Sequence, residues 1–229
     1  MEIKTYNKAD SPRAGLVALY YGEPGTGKTF NALSYPGPML VIDTETRCEL
    51  VLRQQEEDKE VYIAPAQSLA DIRESLNFFY QKTKDIERGS SIISPATVVI
   101  DSATLLLQMA QEEYLKTSGA QKIYPQFMWG EVYALLDELI MKMRNFGCNI
   151  VFTGQLKDEY TGEGKTGRKI LDVYKRIPFW CDLIIECTSN REDKSRSLTV
   201  IKNGYSEHQY FKIPAGLEGI DALINLNQC

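Results

Sequence analysis

Gly22-Glu23-Pro24-Gly25-Thr26-Gly27-Lys28-Thr29 sets two glycines five positions apart and follows the second with a lysine and a hydroxyl residue. This is the phosphate-loop pattern, and it predicts nucleotide binding by all eight residues. The glycines let consecutive backbone N–H groups curl around a β-phosphate, Lys28 reaches the outer phosphates as a point charge, and the Thr29 hydroxyl completes a magnesium shell. An ordinary glycine turn is the competing reading, and the flanks count against it. The apolar run Leu16 to Tyr21 reads as a strand leading into the loop, and Thr29 to Leu33 can begin a helix before Pro36 stops it.

Outward from the loop, short apolar runs alternate with helical periodicities, the pattern of a mostly parallel sheet covered on both faces. Met39 to Asp43, Val61 to Ala64, Thr97 to Asp101 and Asn149 to Thr153 read as further strands. Ser68, with Asp71 three residues on, opens a helix whose stripe is Leu69, Ile72, Leu76 and Phe79. Another helix starts near Thr104, and a third keeps Val132, Leu135, Leu136, Leu139, Ile140 and Met143 on one face. Lys157 to Lys169 is charged and glycine-rich and is expected to be a mobile loop. Cys181 to Cys187, Ser197 to Lys202 and Gln209 to Ile213 read as shorter, antiparallel strands. The expected fold class is therefore α/β.

At 229 residues and 43% hydrophobic, the chain suits a single domain with a large core. The expected division is an N-terminal arm over 1–14, a core over 15–213 and a tail over 214–229. A formal charge of −5 argues against a uniformly basic nucleic-acid coat. Five scattered cysteines and a single histidine, His208, offer neither a zinc site nor a His-based triad, and they suit a reducing cytoplasm. No apolar run approaches membrane length.

Ligands of open parallel sheets lie at the carboxyl ends of the strands, so the polar residues there are the candidates. Asp101, followed by Ser102, has the form of the acid that holds magnesium through its water shell, alongside Thr29. Glu45 follows Val41-Ile42-Asp43-Thr44 and could orient an attacking water, with Asp43 as competitor and a helix-capping acid as the plain alternative. Gln155 ends Phe152-Thr153-Gly154 and could hydrogen-bond the γ-phosphate or the water and report its loss to the polar loop. Gly164-Lys165-Thr166 looks like a second phosphate loop, but position 159 is Glu and no strand precedes it.

The order GEPGTGKT, VIDTE, VVIDS and FTGQ before a charged loop resembles the RecA-like ATPase core. More closely, it is similar to compact phage-encoded nucleotide-binding proteins, some of which act as single-strand annealing proteins. The resemblance spans roughly residues 15 to 213. It implies a RecA-like P-loop ATPase that uses ATP and Mg2+, with Lys28, Glu45 and Gln155 as catalytic groups. The aspartate-glutamate pair of AAA+ motors is absent, since Ser102 follows Asp101, and on that ground the two classes separate. Thr199-Val200-Ile201-Lys202-Asn203-Gly204 is similar to the RecA segment whose two lysines reach a neighbouring subunit's γ-phosphate. Lys202 matches the first, and Gly204 departs from the second.

The resemblance further implies a homo-oligomer with ATP at the subunit interface and single-stranded DNA as partner, in phage-type recombination or annealing, with phage replication or recombination proteins alongside. The localisation implied is cytoplasmic, in the host if phage-encoded. DNA would meet the loops after the fourth and fifth strands. There Lys116, Lys122, Tyr124 and Phe127, then Lys157, Lys165, Arg168 and Lys169, offer charge and stacking surface. Trp129 is read as an anchor of the following helix. Two rivals stand: a P-loop kinase, for which Arg168 is the only lid arginine in the polar loop, and an ATP-binding assembly switch with little hydrolysis.

Overall fold

The computed structural model describes residues 15–55, 59–87, 96–123, 126–162, 164–190, 192, 195–204 and 212–214. The expected arm over 1–14 and nearly all of the tail over 214–229 lie outside them. Nine strands form one sheet in the order β3-β2-β4-β5-β1-β7-β8-β9, with β6 paired to β5 alone. These are β1 (Val17–Gly22), β2 (Met39–Asp43), β3 (Val61–Pro65), β4 (Thr97–Asp101), β5 (Asn149–Thr161), β6 (Gly164–Asp172), β7 (Leu183–Ser189), β8 (Arg196–Asn203) and β9 (Lys212–Pro214). Strands β1 to β5 and β7 pair in parallel, while β8, β9 and the β5–β6 ladder are antiparallel. The expected α/β class, parallel in the middle and antiparallel toward the C-terminus, is the one observed.

Each central strand is apolar on both sides because both sides are covered. Val17, Leu19, Leu40, Ile42, Val98, Ile100, Ile150 and Phe152 enter one core together with Leu69, Ile72 and Leu76 of α3 (Leu69–Glu87), Met109 of α4 (Leu106–Ser118) and Val132 and Leu136 of α5 (Gln126–Asn145). The intervening residues Ala18, Tyr20, Met39, Val41, Val99 and Val151 enter a second core with Ala32 of α1 (Lys28–Ala32) and Cys48 of α2 (Cys48–Leu52). The period of two along each strand thus sorts neighbouring residues into opposite cores. At the head of α3 the expected cap forms: Ser68 Oγ accepts from Asp71 N at 3.2 Å, and Asp71 accepts from Gln67 N at 3.0 Å.

Two expectations are corrected. Lys157 to Lys169 is not an irregular loop: β5 continues to Thr161 and returns as β6, with Thr161 opposite Gly164. Its charges do what apolar contacts do elsewhere, since Lys157 pairs with Asp172 at 2.6 Å and Asp158 with Lys165 at 2.7 Å and Lys169 at 3.1 Å. Cross-strand pairs of opposite sign favour the ladder without burying anything. The second correction concerns β7, which was expected to be antiparallel. It is antiparallel to β8 but parallel to β1, with Gly22 opposite Cys187.

Candidate nucleotide site

At the carboxyl end of β1 the chain turns through Gly25 and Gly27, both at positive φ (80° and 93°). That left-handed backbone is the reason glycine stands there. A Cβ on Gly25 would meet nothing within 4 Å, so the loop opens onto free space at that point, as a phosphate cradle requires. A Cβ on Gly22 would lie 2.2 Å from the Cys187 carbonyl oxygen, so this glycine is fixed by the close passage of β7. Thr26, buried, donates to the Glu23 carbonyl at 2.8 Å and braces the turn from within. Lys28 Nζ donates to the carbonyls of Gly22 (3.0 Å) and Glu23 (2.9 Å), which folds the ammonium over its own loop. Partial burial holds the Lys28 pKa below the ordinary lysine value, against the opposing pull of Cys187, Asp101, Glu45 and Glu23.

Beside this loop stands Asp101, at the end of β4 and buried. Thr29 Oγ1 donates to its Oδ2 at 2.8 Å, so the hydroxyl and carboxylate expected to serve magnesium are already neighbours. Two hard oxygen donors at that distance fit a magnesium ion held directly by Thr29 and through water by Asp101. Two further donors fix the carboxylate from below: Thr153 Oγ1 bonds Oδ1, and the Cys48 thiol reaches Oδ2 at 3.3 Å. Burial, with Asp101 and Asp43 adding to it, pushes the Cys48 pKa far up, so the thiol is neutral and acts as a donor. Neither partner was foreseen in the sequence. Thr153 had a signal, being the polar residue that ends an apolar run; Cys48 had none.

Asp43 and Glu45 competed for one role, and the geometry separates them. The Asp43 carboxylate is buried and receives the backbone N–H groups of Glu45 (3.1 Å) and Cys48 (2.9 Å), so it shapes the turn into α2. Glu45 is left half-exposed, with Gln155 Nε2 donating to its Oε1 at 2.5 Å. The next residue, Thr46, lies at φ 57°, a strained conformation for a β-branched side chain. Thr44 ties this turn to the end of β4, since its N–H donates to the Asp101 carbonyl and its hydroxyl accepts from Ser102 N, both at 2.7 Å. Gln155 is itself set by Thr104, whose hydroxyl accepts from Gln155 N at 3.0 Å. Lys28, Thr29, Glu45, Asp101 and Gln155 therefore converge.

Lys202 does not join them. Opposite Lys202 stands Ile184, which is level with Leu19, three residues back from Gly22 and so about 10 Å from the loop along the strand. A register shift between Ile184 and Ile185 turns Lys202 away from the face of Leu198 and Val200. Its ammonium instead binds the Pro178 (3.2 Å), Phe179 (3.5 Å) and Cys181 carbonyls at the end of α6 (Ile177–Trp180), which is a structural task in its own chain.

The DNA-loop candidates are scattered over two places. Lys116 is exposed in the last turn of α4, Lys122 is exposed beyond it, and Phe127 is 65% exposed at the start of α5; Tyr124 lies outside the described residues. Trp129 packs against the core and stands 5.8 Å from the Tyr133 ring, as an anchor should. Lys157, Lys165, Arg168 and Lys169 lie on the β5–β6 hairpin, where, among the described residues, all but Arg168 are in ion pairs. Lys169 also lies 3.7 Å from Glu23 of the phosphate loop. Gly164-Lys165-Thr166 is part of this hairpin and forms no second phosphate loop.

No helix among the described residues is long and apolar enough to cross a membrane. No curated protein matches the chain. A family model described as an AAA domain matches residues 14–213, so Ser102 after Asp101 marks a difference of site and does not set the chain apart from AAA-type proteins. With the phosphate loop, Asp101 and nearly the whole sequence inside that match, the chain belongs to the AAA domain family of P-loop ATPases.

Proposed function

We propose that this chain is a magnesium-dependent ATPase of RecA-like type that acts on single-stranded DNA, in recombination or strand annealing of the phage kind. The observation that carries the reading is the hydrogen bond from Gln155 Nε2 to Glu45 Oε1, which joins the acid beside the phosphate loop to the base of the β5–β6 hairpin. Thr29 and Asp101 would hold the magnesium ion, which when bound neutralises charge on the phosphate oxygens. Lys28, already bent over the loop, swings its ammonium from the Gly22 and Glu23 carbonyls to the outer phosphates. Glu45 accepts a hydrogen bond from the attacking water and takes its proton as the water oxygen bonds to the γ-phosphorus and the bridge to ADP breaks. Most of the acceleration in such a transfer comes from position and charge.

Gln155 holds Glu45 before ATP arrives and can hand its amide to the γ-phosphate afterwards. The change is passed to β5 and so to the hairpin. DNA would then meet Arg168 and the 70% exposed Tyr160 on the hairpin, with Lys116, Lys122 and Phe127 on the α4–α5 connection. With the hairpin lysines already paired, one copy offers little free charge, so a homo-oligomer is the form in which such patches add up. The test is ATP turnover and fluorescence anisotropy with labelled oligo-dT, for the wild type and Lys28→Ala. Turnover that vanishes in Lys28→Ala and rises with oligo-dT is expected. Turnover indifferent to DNA, together with unchanged anisotropy, removes the DNA part; absence of turnover removes the ATPase part.

A further inference from the structure

We infer that Arg196 is a second cation of the nucleotide site, reaching from β8 of the same chain to the phosphates on the nucleoside side of the loop. The inference rests on the nucleotide reading above and adds a residue to it. Cys187 is level with Gly22, the last residue of β1, and β7 and β8 run on for two more residues to the pair Ser189 and Arg196. Arg196 shares its face of β8 with Leu198 and Val200, which lie in the core under α1. The side chain runs from there onto the phosphate loop: a Cβ on Gly27 would lie 3.4 Å from Arg196 Cδ and 3.6 Å from Nη1. Those are ordinary van der Waals distances, so the arginine stem lies alongside the loop without crowding it.

Charge gives the second argument. Arg196 is exposed, and among the described residues it has no carboxylate at ion-pair distance. Two cations, Lys28 and Arg196, thus converge on one loop. The carboxylates of the site, Glu45 and Asp101, stand on the other side of β1, on or just beyond β2 and β4 in the order β2-β4-β5-β1-β7-β8. Magnesium and the terminal phosphate belong with those carboxylates. What remains on the β7–β8 side is the inner phosphates and the nucleoside, and a planar guanidinium with paired donors matches phosphate oxygens. A purely structural arginine would use only its stem, as packing over the glycine.

Arg196→Gln keeps much of the stem and removes the charge; Arg196→Lys keeps the charge and removes the fork. The probes are mant-ADP and a fluorescent non-hydrolysable ATP analogue, titrated against wild type, both variants and Lys28→Ala. Loss of a charge-assisted contact predicts that Arg196→Gln weakens both probes by a similar factor, roughly tenfold or more, with Arg196→Lys between. The melting temperature of the nucleotide-free protein stays as in wild type, since the residue is exposed. Unchanged affinities overturn the inference, and so does a loss confined to the triphosphate, which would place the guanidinium at the other end of the phosphates. A lower melting temperature with unchanged affinity identifies stem packing and overturns it as well. If wild type binds neither probe, the nucleotide reading fails and Arg196 with it; if wild type binds and Arg196→Gln binds equally, only the role of Arg196 fails.

Discussion

Glu45→Gln separates the proposed water-orienting role from every other task in the site. The substitution is nearly isosteric, and its amide oxygen can still accept from Gln155 Nε2, so the bond at the base of the hairpin survives. The turn survives too, because Asp43 holds it through the backbone N–H groups of residues 45 and 48. Lys28, Thr29 and Asp101 are untouched, and nucleotide affinity should stay within about twofold, well under the ~1.4 kcal/mol of a tenfold change. What is lost is a carboxylate that accepts a proton, a contribution of about 10²- to 10⁴-fold in rate. At ~1.36 kcal/mol for each factor of ten, that is roughly 3 to 5 kcal/mol of transition-state stabilisation. The assay is phosphate release at saturating ATP beside mant-ADP affinity. A kcat within about threefold of wild type, with affinity intact, would refute the assignment of Glu45 and favour a site that binds ATP without using this acid.

Three further outcomes follow from the geometry. Gly22→Ala should abolish nucleotide binding and cost roughly 1–3 kcal/mol of stability by urea denaturation, because the new methyl group meets the Cys187 carbonyl at 2.2 Å and one strand must shift. Lys28 sits below its ordinary pKa through burial, so its charge is lost earlier as pH rises, and bound phosphate should raise it again. Between the lowered pKa and 10.5, nucleotide binding should therefore take up protons and weaken with rising pH, which calorimetry in buffers of different ionisation enthalpy detects. Asn149→Ala strands the buried Leu16 N–H, which donates to Asn149 Oδ1 at 3.0 Å, and should cost about 1–3 kcal/mol; a loss under ~0.5 kcal/mol in denaturant midpoint analysis contradicts that accounting.

Much of this site could be read from residue types at strand ends. Asp101, Glu45 and Gln155 each stand where an apolar run stops, and a parallel sheet brings such ends to one edge whatever the order of its strands. The order itself was not legible, since nothing in Met39 to Asp43 or Thr97 to Asp101 says that β5 lies between β4 and β1. The hairpin was missed for a related reason. Periodicity reports burial, and Lys157 to Lys169 buries almost nothing; its pairing depends on charges that match only once the register is known. The side on which Lys202 lies was not legible either, because the one-residue register shift that turns it toward α6 leaves no mark in the run Thr199 to Asn203. Arg196 lay just before the strand expected from Ser197, with no motif, and its place beside Gly27 follows only from the pairing of β8 with β7.

The strand order also determines which parts of the site are rigid. Asp101 is gripped from beneath by Thr153 on the adjacent strand and Cys48 at the head of α2, contacts that involve no nucleotide. Its position is therefore set by the core before any phosphate arrives, which is the condition under which a charged group contributes most to a transfer reaction. Glu45 is held differently, by a turn strained at Thr46 and by a single amide from Gln155, whose own strand leads into an exposed hairpin. A fixed acid on β4 and an adjustable acid beyond β2 form one edge of the same cradle. Under the proposed function, hydrolysis would be tuned through Glu45 and Gln155 while the affinity that Lys28, Thr29 and Asp101 would supply stays constant. Anything that pulls on the hairpin should change kcat before it changes nucleotide binding.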